Sequence, residues 1–218
     1  MRSLPGWLTP LAWVFLTLAV ASVAAIAYDI YGRGRRHART TSELVWVGSA
    51  LYLGPFALAA YARYGRAGSS AVRAGDRALP DGVATLPGGS TSAVAHVIAV
   101  PLVIASGLTI AGNAMWVMIL VIVALSVALL YAYERSTGTA RATPIPVATA
   151  IGVAVLTVVV FDIGMVGWML VLYFTGFMPP ASDASFWLLM QFGTVLGLLT
   201  SYPVVTRLTR RNRTAALA

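Results

Sequence analysis

Long apolar runs separated by short polar stretches extend along nearly the whole chain, and this pattern predicts membrane-spanning helices. Each run is close to the roughly 20 residues that a helix needs to cross a bilayer. The predicted spans are residues 7–28, 43–62, 93–111, 115–133, 148–174 and 185–206. The predicted fold class is therefore all-α: a polytopic transmembrane helix bundle of about six spans, in a single integral membrane domain covering residues 1–218.

Three segments interrupt or complicate this pattern. Residues 63–92 form the longest polar segment, rich in glycine, serine and alanine, and we expect them to be a flexible loop. Gly54 and Pro55 interrupt the second run near its middle, where a proline kinks a helix. The first run follows Arg2, as in a signal peptide, but its apolar core exceeds the usual length of about 7–15 residues. We therefore expect a retained first helix.

The composition fits a membrane protein and narrows its partners. Hydrophobic residues make up 59% of the chain and charged residues 10%, with a mean hydropathy of +0.82. Soluble domains contain about 25% charged residues. The net charge is +8, and all 15 residues counted as lysine or arginine are arginines. They lie in loops and the tail, as the positive-inside rule requires. No folded basic surface remains, so we expect the lipid bilayer as a partner and no nucleic acid.

The distribution of the arginines also predicts topology. With six spans and both termini in the cytoplasm, most arginines lie on the inner side, but the arginine-rich loop after the first span lies outside. In an alternative topology, the second run re-enters the membrane at Gly54 and Pro55 and returns to the same side. Five helices then cross, the N-terminus lies outside, and both arginine-rich loops face the cytoplasm. We adopt six spans with both termini cytoplasmic as the expectation.

Asp162 carries the clearest chemical signal because it is an acidic residue in the middle of the fifth apolar run. An ionised side chain at that depth costs at least about 2.5–3.5 kcal/mol, so such residues commonly mark ion or proton sites. We expect Asp162 to bind a cation or a proton. The alternative is that a polar neighbour satisfies it and that it only joins two helices. Transport requires polar groups on other helices to converge on this carboxylate.

Methionines provide a second candidate site. Met165 and Met169 lie three and seven residues after Asp162, on the same helical face, whereas Met178 and Met190 lie further out. Thioethers are soft ligands that suit Cu(I), although methionine is also an ordinary packing residue. His96 would join such a metal site only if the third span lies beside the fifth. Cu(I) is thus the one cofactor or cargo that the sequence suggests.

Small residues indicate where helices approach each other. Gly193 and Gly197 form a G-x-x-x-G motif in the sixth run, and Gly164 and Gly167 flank Met165 in the fifth. Such glycines let membrane helices pack closely. The motif could join helices of one chain, or it could join the chain to a second copy or to a partner in a membrane complex. The alternative to a transporter is therefore a non-catalytic scaffold or subunit.

Catalytic signatures are missing from the sequence. It contains no phosphate-binding glycine loop, no H-E-x-x-H and no G-x-S-x-G. It also contains no cysteine, which excludes disulfides, thiolate metal sites and cysteine nucleophiles. We therefore expect no enzymatic activity, and assign no catalytic residue. A small transporter-like protein for a cation, a proton or a metal ion remains the leading interpretation.

Three sequence patches resemble a family of bacterial multi-pass membrane proteins, the domain of unknown function four-three-nine-six (DUF4396). The first is V-W-V-G-S-A-L-Y-L-G-P, at 45–55, followed by Y-G-R at 64–66. The second is I-G-M-V-G-W-M, at 163–169. The third is F-W-L-L-M-Q, at 186–191, with G-L-L-T-S-Y-P at 197–203.

The resemblance implies a multi-pass protein of the bacterial cytoplasmic membrane and no settled activity. Members of that family often carry a His-Cys-rich element at the start of the third helix, which hints at metal chemistry. Here A-H-V-I-A-V-P, at 95–101, keeps only His96 and no cysteine. The family's usual asparagine and tryptophan after S-Y-P are replaced by Val204 and Val205. The resemblance therefore supports fold and location more than function.

Overall fold

The structure is a computed structural model, and it describes residues 4–37, 39–66, 81–138 and 146–215. All named secondary-structure elements in these residues are helical, as expected for a membrane bundle. In chain order the helices are α1 Leu8–Ala27, α2 Thr40–Leu53, α3 Pro55–Ala60, α4 Leu86–Ser106, α5 Ala114–Gly138, α6 Val147–Thr175 and α7 Ala184–Ala215. Single turns extend three of them: Tyr28–Gly32 follows α1, Tyr61–Gly65 follows α3, and Asp81–Thr85 precedes α4.

Five of these helical segments are long and apolar enough to cross a membrane. They are Leu8–Gly32, Gly82–Ser106, Ala114–Ser136, Val147–Thr175 and Ala184–Leu208. Together with the apolar α2–α3 segment, they account for the expected number of about six membrane-embedded segments. The protein is therefore an integral membrane helix bundle.

The α2–α3 segment is the element whose path differs from a simple span. At Gly54, φ is +53° and ψ is −127°, a conformation that only glycine adopts without strain, and the helix breaks there. Pro55 then starts α3 in the position that favours proline. The 14 residues of α2 are only about 21 Å long, less than the roughly 30 Å of a bilayer core.

Both ends of the α2–α3 segment lie beside the C-terminal end of α1. The ring of His37, before α2, contacts the carbonyl of Gly65, after α3. Arg66 and Tyr61 hydrogen-bond to Asp29 in the turn that follows α1. The break at Gly54 packs instead on Ala19, near the middle of α1. The segment is thus a hairpin that enters the bundle and returns to the same end, as in the re-entrant alternative.

This hairpin changes the expected positions of the termini. Because α2–α3 returns to its starting end, α4 also begins at that end, where Leu86 shares a core cluster with Ile26 and Tyr61. Helices α4 to α7 then alternate in direction. The start of α1 and the end of α7 consequently lie at opposite ends of the bundle. The expectation of two cytoplasmic termini treated the interrupted second run as a complete crossing, and the side of the membrane on which each terminus lies stays a prediction.

The flexible loop expected at 63–92 is also shorter than the sequence pattern indicated. Residues 67–80 lie outside the described residues, but Asp81–Thr85 is a short 3-10 helix and α4 begins at Leu86. The glycine- and serine-rich residues at the start of α4 are buried, because small residues there allow α2 to approach closely. A Cβ at Gly48 of α2 would lie 3.0 Å from the Cβ of Ser90. A small-residue contact was therefore mistaken for a loop.

The central core lies between α4, α5, α6 and α7. Its buried members are Ala95, Ala99, Val100, Ile122, Phe161, Met165, Met169, Leu172, Phe186 and Met190. A second cluster joins α1, the α2–α3 hairpin and the start of α4. A third, smaller one joins α5 to α6 through Leu130, Ala154 and Val158. Many large apolar side chains elsewhere on the spans are exposed, as is expected of a surface that contacts lipid.

Candidate functional site

Two groups of residues with polar or sulfur atoms stand out in the structure. The hairpin-base cluster comprises Asp29, Glu43 and the side chains that hydrogen-bond to them, and the core layer comprises His96, Met165, Met169, Met190 and Gln191. The hairpin-base cluster surrounds Asp29, which is only 6% exposed. Its carboxylate accepts hydrogen bonds from Tyr61 Oη at 3.0 Å, from Arg35 at 2.8 Å and from Arg66 at 3.0 Å. Arg33 lies 3.6 Å away. Three guanidinium groups thus surround one carboxylate at the end of α1.

Glu43, in the first turn of α2, is the second buried carboxylate of the hairpin-base cluster. It is fully buried, and its Oε1 accepts hydrogen bonds from Arg36 Nε and from the backbone N–H of His37, both at 2.8 Å. The hydrogen bond from Arg36 to Glu43 raises the pKa of Arg36 above its usual value, so this guanidinium stays charged. Each carboxylate therefore has an arginine partner, which offsets the cost of burying it.

The hairpin-base cluster fixes both ends of the re-entrant hairpin to α1. Trp46 of α2 stacks edge-on with Tyr61 after α3, at 5.7 Å between ring centroids. A Cβ at Gly65 would lie 2.3 Å from the same indole. No functional role was predicted for Asp29 or Glu43. Their signal was available: each is an acidic residue at a predicted span end, beside an arginine-rich loop.

The core layer contains the methionines. Met165 and Met169 of α6 and Met190 of α7 are 1%, 2% and 3% exposed, and all three belong to the central core. Met118 and Met178 pack against that cluster. The hydroxyl of Thr194 lies 3.8 Å from the sulfur of Met165. Met190 was expected to lie further out, but it belongs to the same buried cluster as Met165 and Met169.

His96 of α4 is buried, and its hydrogen bonding fixes where its proton lies. Nδ1 is 2.8 Å from the carbonyl oxygen of Ser92, which can only accept, so Nδ1 carries the hydrogen. In the neutral ring, Nε2 then has a free lone pair. Nε2 is buried and has no hydrogen-bond partner among the described residues. A ring nitrogen held this way is what metal-binding histidines present to the metal.

Helix register places His96 at the same height as the methionines. α4 contacts α7 where Gly89 approaches Leu198. The two helices are antiparallel, so the residue two turns after Gly89 lies at the same height as the residue two turns before Leu198. These are His96 and Gln191. Met165 reaches the same height, because a Cβ at Gly193 would lie 2.7 Å from its sulfur. α4 also lies beside α6, because a Cβ at Gly88 would lie 3.6 Å from the side chain of Thr157. A metal site that contains both His96 and Met165 requires these two helices to be neighbours.

Gln191 connects the core layer to the broken helix. Its side-chain amide donates to the carbonyl of Leu51 in the last turn of α2, at 2.8 Å. Its Oε1 is buried without a hydrogen-bond partner in the described part of the chain. The last carbonyls of a helix carry partial negative charge, and here that end of α2 lies within the bundle. The core layer thus combines a histidine nitrogen, an amide oxygen and thioether sulfurs.

Asp162 lies one turn before Met165 but is not part of the core layer. It is half-buried, and no hydrogen bond or ion pair joins it to another described residue. On the neighbouring helix α5, Ser126 lies between Ile122 and Leu130. Ile122 shares a core cluster with Met165, and Leu130 shares one with Val158, so Ser126 lies at about the same height as Asp162. The role expected for Asp162 as a cation or proton site therefore stays a prediction.

The glycines expected to pack helices do not all do so. A Cβ at Gly164 would lie 2.6 Å from the backbone of Leu196, and one at Gly197 would lie 2.7 Å from Phe161. Gly193 is covered by Met165, as described above. At Gly167, by contrast, a Cβ would meet no atom within 4 Å, so Gly167 does not pack against another described helix of this chain. The G-x-x-x-G face joins α7 to α6 and is thus already used within the chain.

Comparison with known proteins identifies a family. The family model described as "Domain of unknown function (DUF4396)" matches residues 81–213, which include α4 to α6 and most of α7. The resemblance found in the second and third sequence patches is thereby confirmed, while the first patch precedes the matched region. No curated protein and no solved structure matches the chain. Within the described residues, no three histidine, aspartate or glutamate side chains come together as a metal site.

Proposed function

Starting from the fact that the chain belongs to the DUF4396 family, whose description assigns no activity, we propose that this protein is a small membrane transporter-like protein for a soft metal cation, with Cu(I) as the cargo. The observation that carries the proposal is the Nε2 of His96, which is buried and has no hydrogen-bond partner among the described residues. The register of α4 and α6 supports it: a Cβ at Gly88 would lie 3.6 Å from Thr157, and eight residues further along each of these parallel helices are His96 and Met165. An unsatisfied buried nitrogen is costly, and a bound cation would satisfy it.

The donors of the core layer suit a soft cation. Imidazole nitrogen and thioether sulfur are ligands that Cu(I) accepts, whereas hard cations require several oxygen ligands. We propose His96 and Met165 as the ligands, with Met169 one turn further along α6 as the next thioether. A ladder of thioethers allows a cation to exchange one sulfur for the next. The chain has no cysteine that would hold the ion more tightly.

We propose that the broken helix and Asp162 supply the compensating negative charge. In transporters, the C-terminal ends of interrupted membrane helices commonly coordinate cations. Here α2 ends beside Gln191 in the core. Asp162 lies about 4.5 Å along the helix axis from Met165, since the two residues are three positions apart. A proton on this carboxylate could be exchanged for the charge of the passing cation.

The distribution of arginines supports an orientation for this transporter. Arg33, Arg35, Arg36, Arg63 and Arg66 all lie at the hairpin-base end, and the arginine-rich end of α7 lies there too. We propose that this end faces the cytoplasm, following the positive-inside rule. The N-terminal end of α1 would then face the opposite side of a bacterial cytoplasmic membrane.

The test combines Cu(I) binding in detergent with Cu(I) uptake into liposomes. Binding is measured by competition with a chromophoric Cu(I) chelator, and uptake with a chelating dye inside the vesicles. Met165→Leu keeps the volume of the core but removes a sulfur, and His96→Phe removes the nitrogen. We expect each variant to bind Cu(I) at least about tenfold more weakly, because each loses a ligand.

Matched controls separate this site from ordinary packing. Met115→Leu makes the same chemical change at a methionine that is 4% exposed but lies outside the central core. We expect it to bind and transport as the wild type does. We expect Asp162→Asn to slow uptake while binding stays within about twofold, since Asp162 is not a ligand. Equal loss in Met165→Leu and Met115→Leu, or no Cu(I) binding by the wild type, would overturn the proposal.

A further inference from the structure

A cavity of about 250 Å³ lies at the hairpin-base end, on the surface between α1 and α3. It is lined by residues of both helices and of the turns that follow them: Ala25, Tyr28, Asp29, Arg33, Leu58, Tyr61, Ala62 and Arg66. Its inner wall is apolar and belongs to the membrane-embedded part of α1 and α3. Its rim carries two guanidinium groups. The cavity therefore has a lipid-like side and a charged side.

Among the described residues, the positive charge of the rim is not balanced by carboxylates. Arg33, Arg35 and Arg66 lie within 3.6 Å of Asp29, so three positive charges share a single carboxylate. The nearby Arg36 is matched separately by Glu43. Within the described part of the chain, an excess of two positive charges thus remains at this end of the bundle. Arg33 and Arg66 have side chains that are 54% and 41% exposed, so both can accept a further anionic partner.

We propose that this cavity binds the phosphate headgroup of an anionic phospholipid from the same leaflet. Guanidinium groups bind phosphate oxygens through paired N–H donors, and Asp29 holds Arg66 in the orientation required. One acyl chain lies along the apolar wall formed by Ala25, Leu58 and Ala62. Tyr28, which is 63% exposed and lies 5.7 Å below Arg33, packs beside the headgroup region as interfacial aromatics do.

The proposed lipid would occupy the point where the re-entrant hairpin meets α1. Asp29 joins α1 to Tyr61 and Arg66 at the end of the hairpin, and a phosphate would bridge Arg33 to Arg66 in the same place. A headgroup there would hold the base of the hairpin closed. This site is separate from the core layer, so it does not depend on the nature of the transported cation.

Native mass spectrometry of the full chain in a non-ionic detergent tests the site. Phosphatidylglycerol and phosphatidylcholine with identical acyl chains are titrated in parallel. Arg33→Gln removes a charge from the rim, and Ala62→Phe fills the apolar wall without changing charge. We expect each variant to bind phosphatidylglycerol at least about fivefold more weakly than the wild type. We expect the wild type to prefer phosphatidylglycerol to phosphatidylcholine.

Arg63→Gln is the matched control, because Arg63 is an exposed arginine of the same end that does not line the cavity. It should leave lipid binding unchanged. Equal losses in Arg33→Gln and Arg63→Gln would show diffuse attraction to the basic end and would overturn the proposal. Unchanged binding in Ala62→Phe would overturn the acyl-chain contact. Full displacement of the lipid by millimolar inorganic phosphate would assign the rim to a free anion instead. Size-exclusion profiles identify any variant that fails to fold.

Discussion

The close contact between α6 and α7 gives the sharpest stability prediction, because two glycines of one helix differ only in what faces them. Gly164 and Gly167 lie three residues apart on α6. A Cβ at Gly164 would lie 2.6 Å from both the carbonyl carbon and the oxygen of Leu196. A Cβ at Gly167 would meet no atom within 4 Å. Alanine at these two positions should therefore have opposite effects on stability.

The magnitude follows from the geometry. Ordinary contact begins near 3.4 Å, so α6 and α7 would have to separate by roughly 0.8 Å to admit the methyl group at Gly164. The obstacle is backbone, which cannot rotate aside, and overpacking of this kind costs about 1–3 kcal/mol. Replacing glycine by alanine within a helix contributes up to about 1 kcal/mol in the other direction. That contribution is common to both variants, so their difference isolates the cost of the contact.

Thermal unfolding in detergent, followed by tryptophan fluorescence, measures this difference. Trp168 is a suitable reporter because its indole N–H donates across the interface to Leu189 of α7, at 2.9 Å. A 2 kcal/mol difference corresponds to about 4–8 °C in the unfolding midpoint for a chain of this size. We expect Gly164→Ala to melt lower than the wild type and Gly167→Ala to melt at the same temperature or higher. Equal midpoints for the two variants would refute the packing of α6 on α7.

Further predictions concern the hairpin and its base. In the single-cysteine variants Arg39→Cys and Arg63→Cys, the new thiol should react with a membrane-impermeant maleimide from the same side of the membrane. In Leu108→Cys it should react from the other side. Labelling of the first two variants from opposite sides would show that the hairpin crosses the membrane. Asp29→Asn should destabilise the protein by about 1–3 kcal/mol, because three exposed arginines lose their common partner. Tyr61→Phe should destabilise it by about 1 kcal/mol, because one hydrogen bond is lost. Unfolding midpoints equal to that of the wild type would contradict both predictions.

Helix type and approximate position could be predicted from the sequence, because apolar length is a strong signal in a membrane protein. The fifth run, predicted as 148–174, is the helix Val147–Thr175. The start of α4 was placed too late, at residue 93 rather than at Leu86. Glycine and serine there resemble a loop in composition, but in the bundle they allow helices to approach. Hydropathy reports the need for lipid contact and does not report contact between small residues.

The path of the chain was harder to predict than its helices. Gly54 and Pro55 signalled an interruption, but a kinked crossing and a re-entrant hairpin have the same local sequence. The decision depends on contacts distant in the chain, between His37 and Gly65 and between Asp29 and Arg66. The arginine-rich first loop already disagreed with six crossings. Charge distribution was therefore the better guide than the number of apolar runs.

The candidate site was only partly visible in the sequence. Asp162 was conspicuous because a carboxylate is rare at that depth, and Met165 was noticed because it shares its face. His96 and Gln191 lie almost a hundred residues apart, and only the antiparallel packing of α4 on α7 places them at a similar height in the bundle. Single-sequence patterns cannot supply that pairing. The direction of the His96 ring, fixed by the Ser92 carbonyl, likewise depends on side-chain geometry.

The most direct test of the central claim is the X-ray absorption spectrum of the wild-type protein loaded with Cu(I) in detergent. This spectrum reports directly which atoms are bound to copper. The core layer predicts a first shell that contains both thioether sulfur and one imidazole nitrogen, with the nitrogen lost in His96→Phe. A first shell of oxygen and nitrogen alone, or a copper spectrum unchanged in His96→Phe, would contradict the assignment of the core layer as the cation site.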